Sequence, residues 1–326
     1  MSTPAPANPR AIGLGRALLR RREAGIFLAL MALVGLISIA EPQFLAGKNL
    51  YLVSRQVAYT AIVALGVFFV ILTGGIDLSV GSVVSLSGVA AGLALAAGWP
   101  ALLAVACGLA TGALVGAANG AIVSYVRVTP FIVTLGMLSM ARGVVLTITH
   151  GDSIRAIPES FIEAGLLDVV GVPMPVLVLI AVALASHGAL TYTVFGRRVY
   201  AVGGNEEATE LSGINTRQIK FGCYSLAGLL SAITGILYVA RFRSAQANAG
   251  QGMELDAIAA AVIGGTSLLG GQGTVLGVLI GATIMGVIRN GLVLMRVSSY
   301  WQELIIGAII VLAAVLDIIR SRKAKT

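Results

Sequence analysis

The sequence predicts an all-α fold: a polytopic bundle of transmembrane helices that crosses the membrane about ten times. Of the 326 residues, 57% are hydrophobic and only 11% are charged, and the mean hydropathy is +0.95. Soluble domains carry about 25% charged residues, so a chain this apolar could not cover its surface with polar groups. A lipid bilayer is therefore the solvent that its exposed surface requires.

Long apolar runs mark the spans, because a helix needs about 20 apolar residues to cross the hydrocarbon layer. The eighth of the ten segments listed below, 255–269, is short and rich in glycine, so a broken or re-entrant segment is the alternative to a full span. The first segment, 24–41, follows a run of arginines, as a secretory signal would, but we interpret it as a span because many more spans follow. The segments, numbered 1 to 10, are 24–41, 50–72, 80–98, 101–124, 130–148, 174–195, 221–240, 255–269, 274–291 and 300–319.

Lysine and arginine set the predicted orientation, since cytoplasmic loops and tails carry an excess of them. Placing both termini in the cytoplasm puts most of the 22 basic residues inside. The chain then divides into a basic tail, 1–23, a membrane domain, 24–319, and a second basic tail, 320–326. A polar external loop covers 149–173, and a polar cytoplasmic loop covers 196–220. Because the net charge of +8 follows this topology, we do not expect nucleic acid as a partner.

Two similar pentapeptides indicate an internal repeat. Residues 75–79 and 252–256 each contain a glycine, an apolar residue, an acid, a leucine and a polar residue, and an apolar segment follows each. Asn119 and Asn290, both followed by glycine, extend the match. The offset of five segments reverses the orientation, so segments 2–5 and 7–10 are predicted to form an inverted repeat, as in many transporters. Chance similarity between glycine-rich apolar sequences is the alternative.

No arrangement of residues indicates catalysis or metal binding. His150 and His187 lack partners at the spacing of H-E-x-x-H, and Cys107 and Cys223 lie singly in apolar runs. The nucleophile pattern G-x-S-x-G and the phosphate-binding pattern G-x-x-x-x-G-K-[ST] are both absent from the sequence. We therefore expect no catalytic residue, no metal and no cofactor in this chain.

Polar residues in or beside the apolar segments are candidates for a passage, because charges there are costly and face protein or water. Arg142, Arg289 and Glu303 fall toward the outer half, where Glu303 either pairs with one of the arginines or serves the passage. Asp77 lies between two spans, where it either caps the next helix or lines the passage. The candidate pathway residues are Asp77, Ser79, Asn119, Thr134, Arg142, Asn290 and Glu303.

Glycines recur every four residues along segment 4. This spacing puts them near one face of the helix, where they allow another backbone to approach closely. Close packing is the main interpretation, and a lining role in a passage is the alternative. The glycines are Gly108, Gly112, Gly116 and Gly120.

The loop 196–220 is predicted to contain a short helix over 206–211. Asn205 suits the N-cap, and Glu206 and Glu207 fall in the first turn, where the helix dipole favours acids. Ser212 and Gly213 end the helix. A short, capped, charged helix between two spans is suited to docking in a groove of a soluble partner, and a plain connecting loop is the alternative.

Several motifs occur in a fixed order between residues 49 and 319. They include Gly-Gly-Ile-Asp-Leu-Ser-Val-Gly-Ser at 74–82, Thr-Pro-Phe-Ile-Val-Thr-Leu-Gly at 129–136 and Ala-Arg-Gly at 141–143, followed by the stretches 203–206, 212–215, 254–260, 264–267 and 270–271. In this order the motifs resemble the permeases of the ribose/xylose/galactose-type ABC importers. Any one glycine-rich piece alone would be weak evidence.

The resemblance implies a partner for each face of the membrane. Two permease subunits, expected to be identical, would form the channel in the lipid of a bacterial inner membrane. A cytoplasmic ABC ATPase, which binds ATP and Mg²⁺, would dock below, and a periplasmic sugar-binding protein would dock above. The Glu-Ala-Ala-x-x-x-Gly coupling element of ABC permeases matches 207–213 here, with Thr209 in place of the second alanine. The expected coupling residues are Asn205, Glu206, Glu207, Ala208, Gly213, Ile214 and Asn215.

The resemblance leaves the cargo open. Arg289 and Glu303 depart from the polar uncharged or apolar residues typical of such permeases. A nucleoside or a branched-chain amino acid is therefore an alternative to a monosaccharide. A secondary transporter driven by protons or sodium is a more distant alternative. Such proteins usually carry paired carboxylates or histidines in the middle of the membrane, whereas Asp77, Glu254 and Asp256 lie at span ends. An intramembrane enzyme would need a nucleophile and a base at defined depths, and the sequence offers no such pair.

Overall fold

The computed structural model describes residues 22–323. Most of the predicted basic tails, 1–23 and 320–326, lies outside this part of the chain. Within it the chain forms α-helices and one two-stranded hairpin, which confirms the all-α fold. The helices are α1 Arg22–Ala40, α2 Gly47–Leu72, α3 Val80–Ala96, α4 Ala101–Ala121, α5 Pro130–Thr149, α6 Glu159–Gly165, α7 Met174–Tyr192, α8 Val194–Gly204, α9 Glu206–Leu211, α10 Thr216–Phe242, α11 Met253–Ile263, α12 Val275–Leu294 and α13 Ser299–Lys323.

Three short elements complete the described chain. A 3-10 helix, Pro42–Leu45, joins α1 to α2, and a π-helical turn, Ile122–Val126, ends α4. The strands β1 Asp168–Val169 and β2 Val172–Pro173 form a hairpin between α6 and α7.

A helix begins in or overlaps each of the ten predicted segments, and by length and composition seven of the described helices can cross a membrane. These are α1, α2, α4 with its π-helical turn, α5, α7, α10 and α12. The apolar helix α3 and the apolar part of α13 are shorter. Segment 8 is not a full span: α11 has 11 residues and is about 16 Å long, about half of the hydrocarbon thickness.

Helix α2 lies at the centre of the bundle. Almost every side chain from Val57 to Leu72 is buried, which only surrounding helices can achieve. Helices α10, α11, α12 and α7 pack on α2, while α3 and α4 pack mainly on α10. Helix α1 contacts α12, and α5 contacts α3 and α4. The outer faces of α5 and α7 remain exposed in the single chain.

The glycines of segment 4 pack as predicted. A side-chain carbon on Gly112 would lie 2.5 Å from the backbone oxygen of Gly228 on α10. A carbon on Gly116 would meet the backbone oxygen of Tyr224, and one on Gly120 would lie 2.9 Å from that of Phe221. In a bilayer, helices associate through such close van der Waals contact, so these glycines join α4 to α10.

The chain after α10 turns back into the bundle. Ala245 lies against Gly92 near the end of α3, Ser85 donates a hydrogen bond to the carbonyl of Ala247 at 2.8 Å, and Gly250 lies against Gly81 at the start of α3. The segment 244–252 therefore runs antiparallel along α3. Helix α11 then begins beside the first turn of α3, so two short helices start next to each other inside the bundle.

The glycine contact generates the first testable prediction. Gly116→Val would push a branched side chain into the backbone of Tyr224 and Gly228, and overpacking costs about 1–3 kcal/mol. We expect a lower midpoint of thermal unfolding in detergent, measured by size-exclusion chromatography after heating. Gly188→Val on α7 is the control, because nothing lies within 4 Å of that position. Equal stability of the two variants would contradict the packing described.

Candidate functional site

The polar loop 196–220 contains a short, capped helix, as predicted. Helix α9 begins directly after Asn205, whose side-chain oxygen accepts a hydrogen bond from the N–H of Ala208 at 2.9 Å. Glu206 and Glu207 occupy the first turn, where the partial positive charge of the helix start favours acids. The sequence alone thus predicted α9 and its cap, whereas the helices on either side, α8 up to Gly204 and α10 from Thr216, extend into the predicted loop.

The end of α9 is equally well defined. Ser212 follows the last helical residue, and Gly213 has a φ of +81°, a left-handed conformation that glycine adopts without steric cost. Asn215 then caps α10 by accepting a hydrogen bond from the N–H of Gln218 at 3.2 Å. We call residues 205–215 the knob.

Two ion pairs link the knob to neighbouring helices. Lys220 on α10 contacts Glu206 at 2.5 Å, and Arg127, which follows the π-helical turn, lies 3.8 Å from Glu210. More than half of each side chain in the second pair is exposed, so it adds little stability. Both pairs favour one orientation of α9 relative to α4 and α10.

A pocket of about 470 Å³ separates the knob from the end of α4. Its lining carries acids from the knob and bases from α10 and from the end of the π-helical turn, so it suits a polar occupant. The sequence analysis missed this pocket and its π-helical wall, because the left-handed conformation of Arg127 at the end of the turn is visible only in the structure. The lining residues are Val123, Ser124, Arg127, Val128, Thr129, Pro130, Glu206, Glu207, Glu210, Thr216, Arg217 and Lys220.

Helix α8 fixes the knob to the transmembrane part. Gly203 lies against the backbone of Leu72 and of Gly271, leaving no room for a side chain. Tyr200 donates a hydrogen bond to the carbonyl of Gly273 at 2.9 Å, and burial raises the pKa of its hydroxyl. A movement of the knob therefore reaches both the end of α2 and the loop between α11 and α12.

The predicted pathway residues around the break 73–79 are buried inside the single chain. Asp77 accepts hydrogen bonds from the N–H and the hydroxyl of Ser79, at 2.8 and 2.6 Å. The amide of Asn119 donates to the same hydroxyl at 2.9 Å, and Thr134 approaches the carbonyl of Ile76 at 3.3 Å. Both bonds of Asp77 go to Ser79, the N-cap residue of α3, and not to the N–H groups of the first helical turn that a capping side chain would bond. A role in the passage stays a prediction for all of these residues.

The second group of candidates lies between α2, α11 and α12. Arg289 donates a hydrogen bond to Asp256 at 2.7 Å, and the amides of Asn290 and Asn49 donate to each other at 2.9 Å. The bond from α12 to the start of α11 resembles that from Asn119 on α4 to the start of α3. The two bonds do not correspond residue for residue, because Arg289 lies one position before Asn290, the counterpart of Asn119 in the proposed repeat. The repeat itself stays a prediction.

The expected ion pair of Glu303 is not formed. Glu303 is exposed, and Arg289 binds Asp256 instead. Arg142 on α5 forms no ion pair with Glu303 either, and two of its guanidinium nitrogens are buried without a hydrogen-bond partner in the described part of the chain. The sequence analysis did not assign Asp256 as the partner of Arg289. The pentapeptide repeat could have indicated it, because this acid lies within it.

The comparisons with known proteins agree with this architecture. A family model described as "Branched-chain amino acid transport system / permease component" matches residues 49–314, most of the chain. The chain belongs to this permease family. It is a multi-pass membrane protein, and its resemblance to ABC importer permeases is confirmed.

Curated relatives of this permease match over nearly their whole length. The ribose import permease protein RbsC of Escherichia coli K12 is 46% identical over 299 residues, which cover 90% of this chain and 93% of the relative. RbsC of Bacillus subtilis is 42% identical, over 91% and 92%. The xylose transport system permease protein XylH of E. coli K12 is 36% identical, over 86% and 87%. The comparison with solved structures gave no significant match.

The cap of α9 generates a prediction about the knob. Asn205→Ala removes the acceptor for the Ala208 N–H, and loss of an N-cap costs about 1 kcal/mol. We expect amide hydrogen exchange in α9 to become about fivefold faster, measured by mass spectrometry. Asn215→Ala is the control, because it releases the Gln218 N–H on α10 instead. Equal exchange in α9 of the two variants would refute the capping role.

Proposed function

We propose that this protein is the membrane-spanning subunit of an ATP-driven importer for a monosaccharide that a periplasmic binding protein delivers. The observation that carries the proposal is 46% identity to a ribose import permease over 90% of the chain. Relatives named for xylose and D-allose transport support the same cargo class. The family description names branched-chain amino acids, so such an amino acid is the second candidate cargo.

The knob is the part of this chain that we assign to the ATPase partner. ATP and Mg²⁺ then bind that separate chain, which performs the hydrolysis. Asn205, Glu206, Glu207, Ala208, Gly213, Ile214 and Asn215 form or flank the docking helix. Because Gly203 lies against the backbone of Leu72 and Gly271, tilting of the knob would shift α2 and the segment after α11 together.

A second copy of this chain is the partner that we assign within the membrane. Gly136 and Gly143 lie one heptad apart on α5, and nothing lies within 4 Å of either position. Small residues on a helix face allow another helix to approach closely in lipid. Phe131, Ile132 and Met140 are also exposed on this helix. We place the sugar passage between the two copies, along α5.

The ATPase assignment requires that the knob faces the cytoplasm of the bacterial cell. Both termini then lie in the cytoplasm of an inner-membrane protein, in agreement with the distribution of Lys and Arg. The loop 149–173 faces the periplasm and is available to the binding protein. The ion pair of Arg243 with Glu159 and the backbone pairing of Ile154 with Ala245 hold this loop against the end of α10.

Reconstitution tests the function and the knob together. In proteoliposomes that contain the protein, its ATPase and its binding protein, we expect ATP-dependent uptake of ribose. Gly213→Arg should reduce uptake to the level without ATP, because an arginine at φ +81° is strained and projects from the docking surface.

Gly47→Arg is the matched control. It adds the same side chain in open space at the start of α2, at the opposite end of the proposed topology. Normal uptake by Gly213→Arg would refute the coupling role of the knob. ATP-dependent uptake of leucine without uptake of any sugar would favour the amino-acid cargo.

Labelling of single cysteines tests the orientation. After replacement of Cys107 and Cys223 by alanine, Asp152→Cys and Glu207→Cys each introduce one exposed thiol. A membrane-impermeant maleimide added to intact spheroplasts should label position 152 and leave position 207 unlabelled until the membrane is permeabilised. Labelling of position 207 from outside would invert the topology and remove the ATPase assignment.

A further inference from the structure

The hairpin at the end of the loop 149–173 has an apolar tip that is fully exposed. Strands β1 and β2 are joined by only two residues, Val170 and Gly171. Val170 is 99% exposed, and its neighbour Val169 is 43% exposed. Tight turns favour glycine, asparagine and aspartate, so a valine at this position calls for an explanation.

The backbone conformation makes this valine more unusual. The φ angles of Val170 and Gly171 are +54° and +81°, the left-handed pair of a type I′ turn, which the sequence Asn-Gly normally occupies. A β-branched residue with a positive φ is strained, and residues in such conformations cluster at functional sites. Because the side chain is exposed, no burial within the chain offsets the strain. A contact outside the chain is therefore the gain that this valine can supply.

The hairpin is held firmly by the rest of the loop. The N–H of Met174 donates a hydrogen bond to the carbonyl of Leu167 at 2.9 Å, directly beside the two strands. Pro173, the last strand residue, is buried. The backbone pairing of Ile154 with Ala245 fixes the loop to the chain after α10. A tip on an ordered support loses little conformational entropy on binding, so it is suited to anchor a partner.

The charge of the surrounding loop selects the kind of partner. The loop 149–173 contains four acids and one arginine, and one of the acids, Glu159, is paired with Arg243. Anionic lipid head groups attract basic segments, so an acidic loop does not favour insertion of the tip into the membrane surface. A soluble protein with basic residues around an apolar patch complements both features. The remaining three acids are exposed: Asp152, Glu163 and Asp168.

We propose that Val170 inserts into an apolar patch of the periplasmic binding protein, and that basic residues of that protein surround the patch. This inference rests on the proposed function, in which the loop 149–173 faces the periplasm, and it adds the anchoring contact. Complete burial of a valine side chain favours association, and charges at the rim of an interface steer the encounter. The strain at Val170 is then compensated only in the complex.

The test uses the complete importer in nanodiscs, where both faces of the membrane are accessible. ATP hydrolysis is measured as the concentration of ribose-loaded binding protein is raised. Val170→Asn should raise the half-maximal concentration about tenfold, because it removes the buried valine side chain. Its thermal midpoint should stay equal or rise, because Asn-Gly suits the type I′ turn. A valine with a structural role would give the opposite result, a lower midpoint and an unchanged half-maximal concentration.

Val194→Asn is the matched control, because it makes the same change at an exposed valine of α8, at the opposite end of the proposed topology. Its half-maximal concentration should equal that of the unaltered protein, and in both proteins it should rise with salt, which screens the rim charges. An unchanged half-maximal concentration in Val170→Asn would overturn the inference, and contact of the tip with lipid would give this result. A half-maximal concentration that does not depend on salt would overturn the basic patch.

Labelling of a single cysteine tests for direct contact. After replacement of Cys107 and Cys223 by alanine, Val170→Cys introduces one exposed thiol at the tip. A membrane-impermeant maleimide should label this thiol in the importer alone, and much more slowly when ribose-loaded binding protein is present. Equal labelling in both conditions would overturn the inference. If the binding protein does not stimulate ATP hydrolysis by the unaltered importer, the proposed function fails as well.

Discussion

Every backbone polar group inside a bilayer must find a partner within the protein, and the interrupted helices of this chain depend on that constraint. The break 73–79, the segment 244–252 and the loop after α11 all lie among the membrane helices. None of these segments is a regular helix, so their backbone N–H and C=O groups cannot all bond each other in the helical pattern. They are stable only because other parts of the bundle surround and bond them.

A different hydrogen bond contributes to this requirement at each of the three breaks, taken in chain order. At the break 73–79, the carboxylate of Asp77 accepts a hydrogen bond from the N–H of Ser79. At the second, Ser85 bonds the returning backbone of Ala247. At the third, the N–H of Gly271 bonds the carbonyl of Leu72 at 2.9 Å. Glycines at the contacts let the backbones approach closely enough for these bonds to form, so the abundance of glycine and the irregular helices have one cause.

The same arrangement relates the two ends of the molecule. The knob rests on α8, and α8 rests on Leu72 and Gly271, which belong to the end of α2 and to the loop after α11. Helix α11 leads from that loop to Asp256, which Arg289 binds from α12. A short helix with an ion pair at one end and a glycine contact at the other is therefore suited to move as a unit.

The sequence by itself determined the all-α membrane fold, the positions of most helices and the capped knob, because hydropathy and capping are local properties. Asn205, Glu206 and Gly213 act on backbone groups within a few residues, so their effect is visible without the fold. The family resemblance, carried by motifs in a fixed order, was equally visible.

Only the tertiary structure decided which distant residues meet. Glu303 looked like the partner of Arg142 or Arg289, but Glu303 is exposed and Asp256 binds Arg289. Segment 8 was already short in the sequence, and only the structure shows that its helix ends at Ile263, with the chain before it folded back along α3 and the chain after it unwound. Pairing across the bundle depends on helix tilt, rotation and backbone approach, and these are set by contacts between segments far apart in sequence.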